Sequence, residues 1–208
     1  MAVVVGLTGG IATGKTTVAK MFHELGASYI DTDQVAREAL SPGSDAVREV
    51  LAAFGPETLN EDGSVNRRKL ADIVFADAEA REKLNRIVHP RVTQRLKPQI
   101  DRFRAQAGGG DVLVVEIPLL VEAKLQCLVD KVVVVAAEQE TQMNRLKMRS
   151  SLSYRQISQR MESQLPIREK VRFADWVVTT DCEMAETRSQ VERIWRELQE
   201  GGRTRGAV

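Results

Sequence analysis

Cysteine is scarce: Cys127 and Cys182 are the two in 208 residues, far apart and without C-x-x-C spacing. That pattern excludes a zinc-finger-type site and a disulfide framework, and reads as two reduced structural thiols. Net charge is nearly absent as well. Thirty Lys and Arg stand against 29 Asp and Glu, a formal +1, so no bulk field calls for nucleic acid or an anionic membrane. No apolar run approaches the length of a membrane span. No charged n-region with a cleavage site precedes the first strand, and internal repeats and low-complexity linkers are missing. These absences leave a cytoplasmic protein, expected to be a monomer, with small-molecule substrates and no nucleic-acid or membrane partner.

What is present suits one domain. Hydrophobic residues make up 43% and charged residues 28%, enough to build a sizeable core without metal or disulfide support. Val3 to Thr8 is a short apolar run with little polar alternation, the pattern of a strand buried on both faces of a parallel sheet. Lys15 to Leu25 reads as an amphipathic helix stopped by Gly26. Ser28 to Asp31 reads as a second strand, followed by a helix from about Asp33 to Leu40 and a break at Ser41-Pro42-Gly43. From Asp45 to Gln106 the pattern is helical. Asn66 and Asp77 are candidate caps, Pro90 is placed to start a further helix, and Pro98 predicts a kink or break. After Gly108-Gly109-Gly110, strands are predicted at Val112 to Ile117, Lys131 to Ala136 and Trp176 to Thr179. Helices fit Gln139 to Arg149, Tyr154 to Gln164 and Met184 to Gln199, with a short polar tail from Gly201. Strands alternating with helices give an α/β fold: a parallel five-stranded sheet flanked by helices, with a helical insertion beside it.

Gly9-Gly10-Ile11-Ala12-Thr13-Gly14-Lys15-Thr16 satisfies the pattern G-x-x-x-x-G-K-S/T between a strand and a helix. Glycines let successive backbone N–H groups converge on phosphate oxygens, and the helix start adds free N–H groups and a positive dipole end. Gly10, Ile11, Ala12, Thr13, Gly14, Lys15, Thr16 and Thr17 are therefore expected to hold ATP. Lys15 supplies charge at the β- and γ-phosphates, and the Thr16 hydroxyl is the candidate ligand of Mg²⁺. The loop class is that of the P-loop NTPases.

Asp31 and Asp33 stand at the carboxyl end of the second predicted strand, where open parallel sheets bind ligands. A carboxylate there could accept a hydroxyl proton or help hold Mg²⁺; Thr32 or Asp33 could equally cap the next helix. Glu116 ends the Val112 strand and is either a second acid of the metal shell or a surface glutamate. His23 reads as a solvated bystander, and His89 either faces a ligand phosphate or caps a helix. Arg145, Arg149, Arg155 and Arg160 cluster around the polar run Arg149-Ser150-Ser151-Leu152-Ser153, as in a mobile lid that neutralises transferring charge and excludes water.

With these motifs the chain resembles the dephospho-coenzyme A kinase family over nearly its whole length. The segments that carry the resemblance are Gly6 to Ile11 and Gly14 to Val18, then Asp31-Thr32-Asp33-Gln34-Val35-Ala36-Arg37, then Arg67-Arg68-Lys69-Leu70. Val88-His89-Pro90, Ile117 to Glu122, Gln142 to Arg149 and Ala174 to Val178 continue it. The resemblance implies transfer of the ATP γ-phosphate to the ribose 3′-hydroxyl of dephospho-CoA. It implies Asp33 as the catalytic base, Arg145 and Arg149 as stabilisers of transferring charge, and Arg68 and His89 as contacts to the acceptor's anionic groups. It also implies a core of about 1–44 and 111–200, an acceptor-binding insertion of about 45–107 and a lid of about 147–166.

Two departures stand out. Ala12-Thr13 replaces the more usual Gly-Ser, tolerable where Ala12 keeps a negative φ. Thr180-Asp181-Cys182 replaces an Asn-Gly-type turn near the base. A kinase for a nucleoside monophosphate or another small hydroxyl acceptor shares the loop and lid. A GTP-dependent switch would need an Asn-Lys-x-Asp-type run, which the chain lacks, and an inactive module would not need Lys15, Thr16 and Asp33.

Overall fold

The computed structural model describes residues 2–150 and 152–204. Within them the chain forms two compact units. One comprises the residues up to Asp31 together with those from Gln99 onward, and the other is Thr32–Pro98.

In the first unit five strands form one parallel sheet in the order β2-β3-β1-β4-β5: β1 Val3–Gly9, β2 Ser28–Asp31, β3 Val112–Glu116, β4 Lys131–Ala136 and β5 Trp176–Thr179. Val4, Val5, Leu7 and the valines of β3 and β4 are buried, which is why these strands read as unbroken apolar runs rather than alternating ones. Helices α1 (Lys15–Glu24) and α9 (Met184–Thr204) share a core with the sheet. Phe22, Met21 and Val18 of α1 meet Val191, Ile194 and Leu198 of α9 over Val5, Leu7, Val114 and Val133. Full burial of a side chain such as Phe22 contributes about 1.5–3 kcal/mol. α9 continues through Gly201 to Thr204, past the expected start of the polar tail; residues 205–208 lie outside the described residues. Among the described residues no helix is long and apolar enough to cross a membrane.

The second unit contains α2 (Thr32–Ala39), α3 (Asp45–Phe54), α4 (Arg67–Ala76) and most of α5 (Ala78–Gln106). Ser44 caps α3 through Val47 N, and Asn66 caps α4 through Lys69 N. Val47, Val50, Leu70, Val74 and Ile87 form its core. An isolated antiparallel bridge, Leu59 with Val65, closes the turn ahead of α4. Within that turn, hydrogen bonds from Ser64 hold the exposed Asp62 carboxyl below its ordinary value.

One expectation is overturned here: Pro90 does not begin a helix and Pro98 does not end one, since α5 runs through both. Each proline removes one ladder donor. Burial of Ile87, Val92, Leu96 and Ile100 holds one face of the helix in place, and Arg91 Nη1 donates back to Ile87 O at 2.5 Å beside the first gap. The remaining helices of the first unit are α6 (Gln139–Arg149), α7 (Tyr154–Glu162) and the short α8 (Ile167–Val171), which the sequence pattern did not reveal.

The sheet is tightest where β1 leaves it. Gly9 pairs with Val135, and a Cβ on Gly9 would stand 2.2 Å from Val135 O. Gly9→Ala is expected to lower the unfolding free energy by about 3 kcal/mol or more, because backbone on a central strand cannot give way. Urea denaturation checks this; an unchanged midpoint would mean that β1 and β4 can part at no cost.

Candidate active site

At the carboxyl edge of the sheet, Glu116 at the end of β3 meets the start of α1 and Thr180 just past β5 meets the glycine loop. The loop itself closes on the Gly10 carbonyl, which receives Thr13 Oγ1 at 2.9 Å, Thr13 N at 3.4 Å and Lys15 Nζ at 2.8 Å. Gly14 sits at φ 91° and opens α1, its carbonyl taking the N–H groups of Thr17 and Val18. Only glycine takes that left-handed conformation without strain. Ala12 corrects an expectation: its φ is +58°, in the left-handed region, not negative. An alanine held there costs about 1–2 kcal/mol. The Ile11 N–H donates to Gln164 Oε1 at 2.8 Å, so the loop is also tied to the residues after α7.

At the helix end of the loop, Thr16 Oγ1 donates to Glu116 Oε1 at 3.0 Å, and Tyr29 OH donates to Glu116 Oε2 at 2.7 Å. Glu116 is 6% exposed, so the surface-glutamate alternative does not hold. β2 and β3 set this geometry, for Asp31 pairs with Glu116 in register. The donor set is hard oxygen throughout, and no group of three His, Cys, Asp or Glu able to hold a metal occurs among the described residues. Mg²⁺ fits such a place, because it takes one or two protein oxygens and keeps water and phosphate for the rest.

Behind the loop, Arg145 of α6 donates from Nη1 to Ala12 O at 3.2 Å and to Thr180 Oγ1 at 2.9 Å, and from Nη2 to Thr180 O at 2.5 Å. Buried Thr180, just past β5, donates to Thr13 O at 2.8 Å. Asp181 accepts from Glu138 N at 2.9 Å. The Thr180-Asp181 turn therefore braces the loop from β5. Buried Gln142 donates from Nε2 to Ala137 O, and its Oε1 would lie 2.9 Å from a Cβ on Gly10. Of the predicted arginines, Arg145 meets the loop directly. Arg149 is exposed at the end of α6, Arg155 is exposed in the first turn of α7, and Arg160 is half-buried near its end. Ser151, within the predicted lid run, lies outside the described residues.

Asp33, Arg68 and His89 belong to the second unit. Asp33 is exposed in the first turn of α2, and Arg68 is exposed in the first turn of α4. His89 is half-buried inside α5, so it caps no helix. A cavity of about 360 Å³ in this unit is lined by Ser44, Asp45, Arg91, Gln94 and Arg95 together with three small residues.

Sequence reasoning passed over Tyr29, Gln164 and Lys170, gave Gln142 no role of its own, and read Thr180 only as part of a departure near the base, not as a contact of the loop. Thr180 was reachable, since it follows a predicted strand at the ligand edge of the sheet. Lys170, in Arg168-Glu169-Lys170, looks like any solvated helical turn.

The family model CoaE, dephospho-CoA kinase, matches residues 3–186. A dephospho-CoA kinase of Bacillus cereus is 44% identical over 194 residues, 93% of this chain and 96% of the relative. Among solved structures, a Thermus thermophilus protein superposes with a TM-score of 0.77 at 31% identity, covering 95% of this chain and 98% of that one. A dephospho-CoA kinase from Campylobacter jejuni does so with a TM-score of 0.70 at 26% identity, covering 97% and 99%.

The strain at Ala12 is testable by itself. Ala12→Gly removes the Cβ from a left-handed position while loosening the unfolded chain, and is expected to raise stability by about 0.5–1 kcal/mol. Thermal unfolding reads it; a loss of stability would show that the Ala12 methyl packs usefully.

Proposed function

The chain belongs to the dephospho-CoA kinase family, and from that premise we propose that it moves the ATP γ-phosphate to the ribose 3′-hydroxyl of dephospho-CoA, completing coenzyme A. The observation that carries the reading is the closed phosphate loop whose Thr16 faces the buried Glu116 carboxylate at the sheet's carboxyl edge.

In this reading Gly10 to Thr17 cradle the ATP phosphates, with Lys15 turned toward the β- and γ-oxygens. Thr16, backed by Glu116 and Tyr29, would hold Mg²⁺, which would offset negative charge on the phosphates. Asp33 orients the 3′-hydroxyl and takes its proton. Arg145 and Arg149 stabilise charge on the group in flight, and Arg68 and His89 hold anionic groups of the acceptor. The insertion of about 45–107 binds the acceptor. Residues of about 147–166 close as a lid, excluding water. Phosphoryl transfer needs little covalent help, so positioning and electrostatics supply most of the rate. The enzyme is taken to work as a cytoplasmic monomer on small molecules.

A coupled ADP-release assay with Mg-ATP should show turnover with dephospho-CoA and none with AMP, CMP, shikimate or pantothenate. Turnover with one of the others would keep the kinase and replace the acceptor. Asp33→Asn is expected to lower kcat by roughly 10²–10⁴-fold while ATP affinity holds; equal kcat would remove Asp33 from its role. Tyr29→Phe removes the hydrogen bond that the phenol donates to Glu116, and the Mg²⁺ concentration for half-maximal rate should rise roughly tenfold. An unchanged Mg²⁺ profile would detach Tyr29 and Glu116 from the metal.

A further inference from the structure

Lys170 has no part in the chemistry above, yet its side chain is completely buried. Its ammonium meets three oxygens: Glu122 Oε1 at 2.7 Å, Pro118 O at 3.1 Å and Gly9 O at 3.4 Å. An ammonium has three donors, so these acceptors satisfy it. Glu122 Oε1 also accepts Leu165 N at 3.1 Å. The other oxygen, Oε2, is buried and without a hydrogen-bond partner among the described residues. The carboxylate is thus committed through one oxygen, to the lysine and to the chain that follows α7.

Stability does not account for such a pair. Burying two charges is costly, and apolar groups of the same shape are commonly as stable or more so. What an apolar pair cannot do is direct a carbonyl. Gly9 is the last residue of β1, and its C=O points to Lys170. In a trans peptide the next N–H lies on the opposite side, so this contact turns the Gly10 N–H away from Lys170. Gly10 then supplies the carbonyl on which Lys15 and Thr13 close the loop. Pro118 O, a second acceptor of Lys170, also receives Thr8 Oγ1 at 3.1 Å, which ties the same group to β1 one residue earlier. Leu165, held by Glu122, follows Gln164, whose side chain accepts the Ile11 N–H. The run from Gln164 to Lys170 therefore grips the loop at Ile11 and at Gly9.

We propose that Glu122 and Lys170 are a positioning pair for ATP: they set the first peptide of the phosphate loop and couple it to the chain leaving α7. This deepens the kinase reading and rests on it only for the identity of the nucleotide.

The test is the double variant Glu122→Gln with Lys170→Met, which removes both charges together and leaves no lone buried ion. Calorimetric titration with Mg-ATP, thermal unfolding, and steady-state KM for ATP and for dephospho-CoA are measured beside the parent chain. The expected result is a folded protein whose ATP dissociation constant and KM rise roughly tenfold or more, while KM for dephospho-CoA stays within about twofold. Unchanged ATP affinity overturns the proposal. Equal losses toward ATP and acceptor overturn it too, since a general structural role would produce them. Should the double variant fail to fold, Glu122→Gln with Lys170→Gln, which also leaves no lone buried ion and keeps an acceptor for Leu165, is read by the same titration with the same criteria. A parent chain that binds Mg-ATP but leaves dephospho-CoA untouched would sink the substrate assignment and leave the ATP titrations to decide this pair.

Discussion

A loop that must offer its N–H groups to an anion cannot also satisfy its own carbonyls by ordinary secondary structure, and the rest of the site follows from that constraint. Side chains solve it. The Gly9 carbonyl is met by Lys170, Gly10 by Lys15 and Thr13, Ala12 by Arg145, and Thr13 by Thr180. A buried carbonyl left without a donor costs about 1–3 kcal/mol. Four such groups between Gly9 and Thr13 would open a turn that already holds Ala12 in a left-handed conformation. Apart from Lys15 and Thr13, which belong to α1 and the loop, the side chains that prevent this come from α6, α8 and the end of β5, and the sheet carries all three to one edge.

The braces of this loop are long-range contacts. Its own residues are local, but its braces lie 133 positions away at Arg145, 161 at Lys170 and 167 at Thr180. Contacts of that separation need the β1–β4 and β4–β5 pairings first, because loop closure entropy is met before such contacts can stabilise anything. The apolar core between α1, α9 and the sheet is what holds those strands long enough for the braces to engage. Packing and function are linked here through backbone carbonyls rather than through the residues that face substrate.

That linkage also explains how far the sequence could be read. Strands β1, β3 and β4 were legible because each is an apolar run buried in the sheet, while β2 and β5 are short, mostly unburied edge strands legible from their place between helices. The loop was legible because its glycines, Lys15 and Thr16 recur at fixed spacing between a strand and a helix. The start expected at Pro90 and the break allowed at Pro98 do not occur in the long helix α5, because helix-breaking tendency is local and the burial of Val92, Leu96 and Ile100 that overrides it is not. Glu116 stayed ambiguous since a glutamate at a strand end carries no mark of the tyrosine that will hold it. Of the braces, Arg145 and Thr180 stood at positions the sequence marked, but Gln164 and Lys170 did not: they are ordinary polar residues in ordinary surroundings until the sheet brings them against the loop. The φ of Ala12 is of this kind as well: nothing in its neighbours along the chain announces a left-handed turn, which the fold imposes from behind.

The position of Lys15 shows what such bracing does for catalysis. In this structure its ammonium holds the Gly10 carbonyl. A lysine has three donors, so one can stay on Gly10 while others reach phosphate oxygens. The loop then need not reorganise when nucleotide arrives, provided that Gly9, Ala12 and Thr13 are already fixed by the other braces. Electrostatic stabilisation depends on dipoles that are oriented before the reaction rather than by it. A backbone held at four carbonyls meets that requirement, and one free to turn its peptides would lose part of the charge stabilisation in reorienting them.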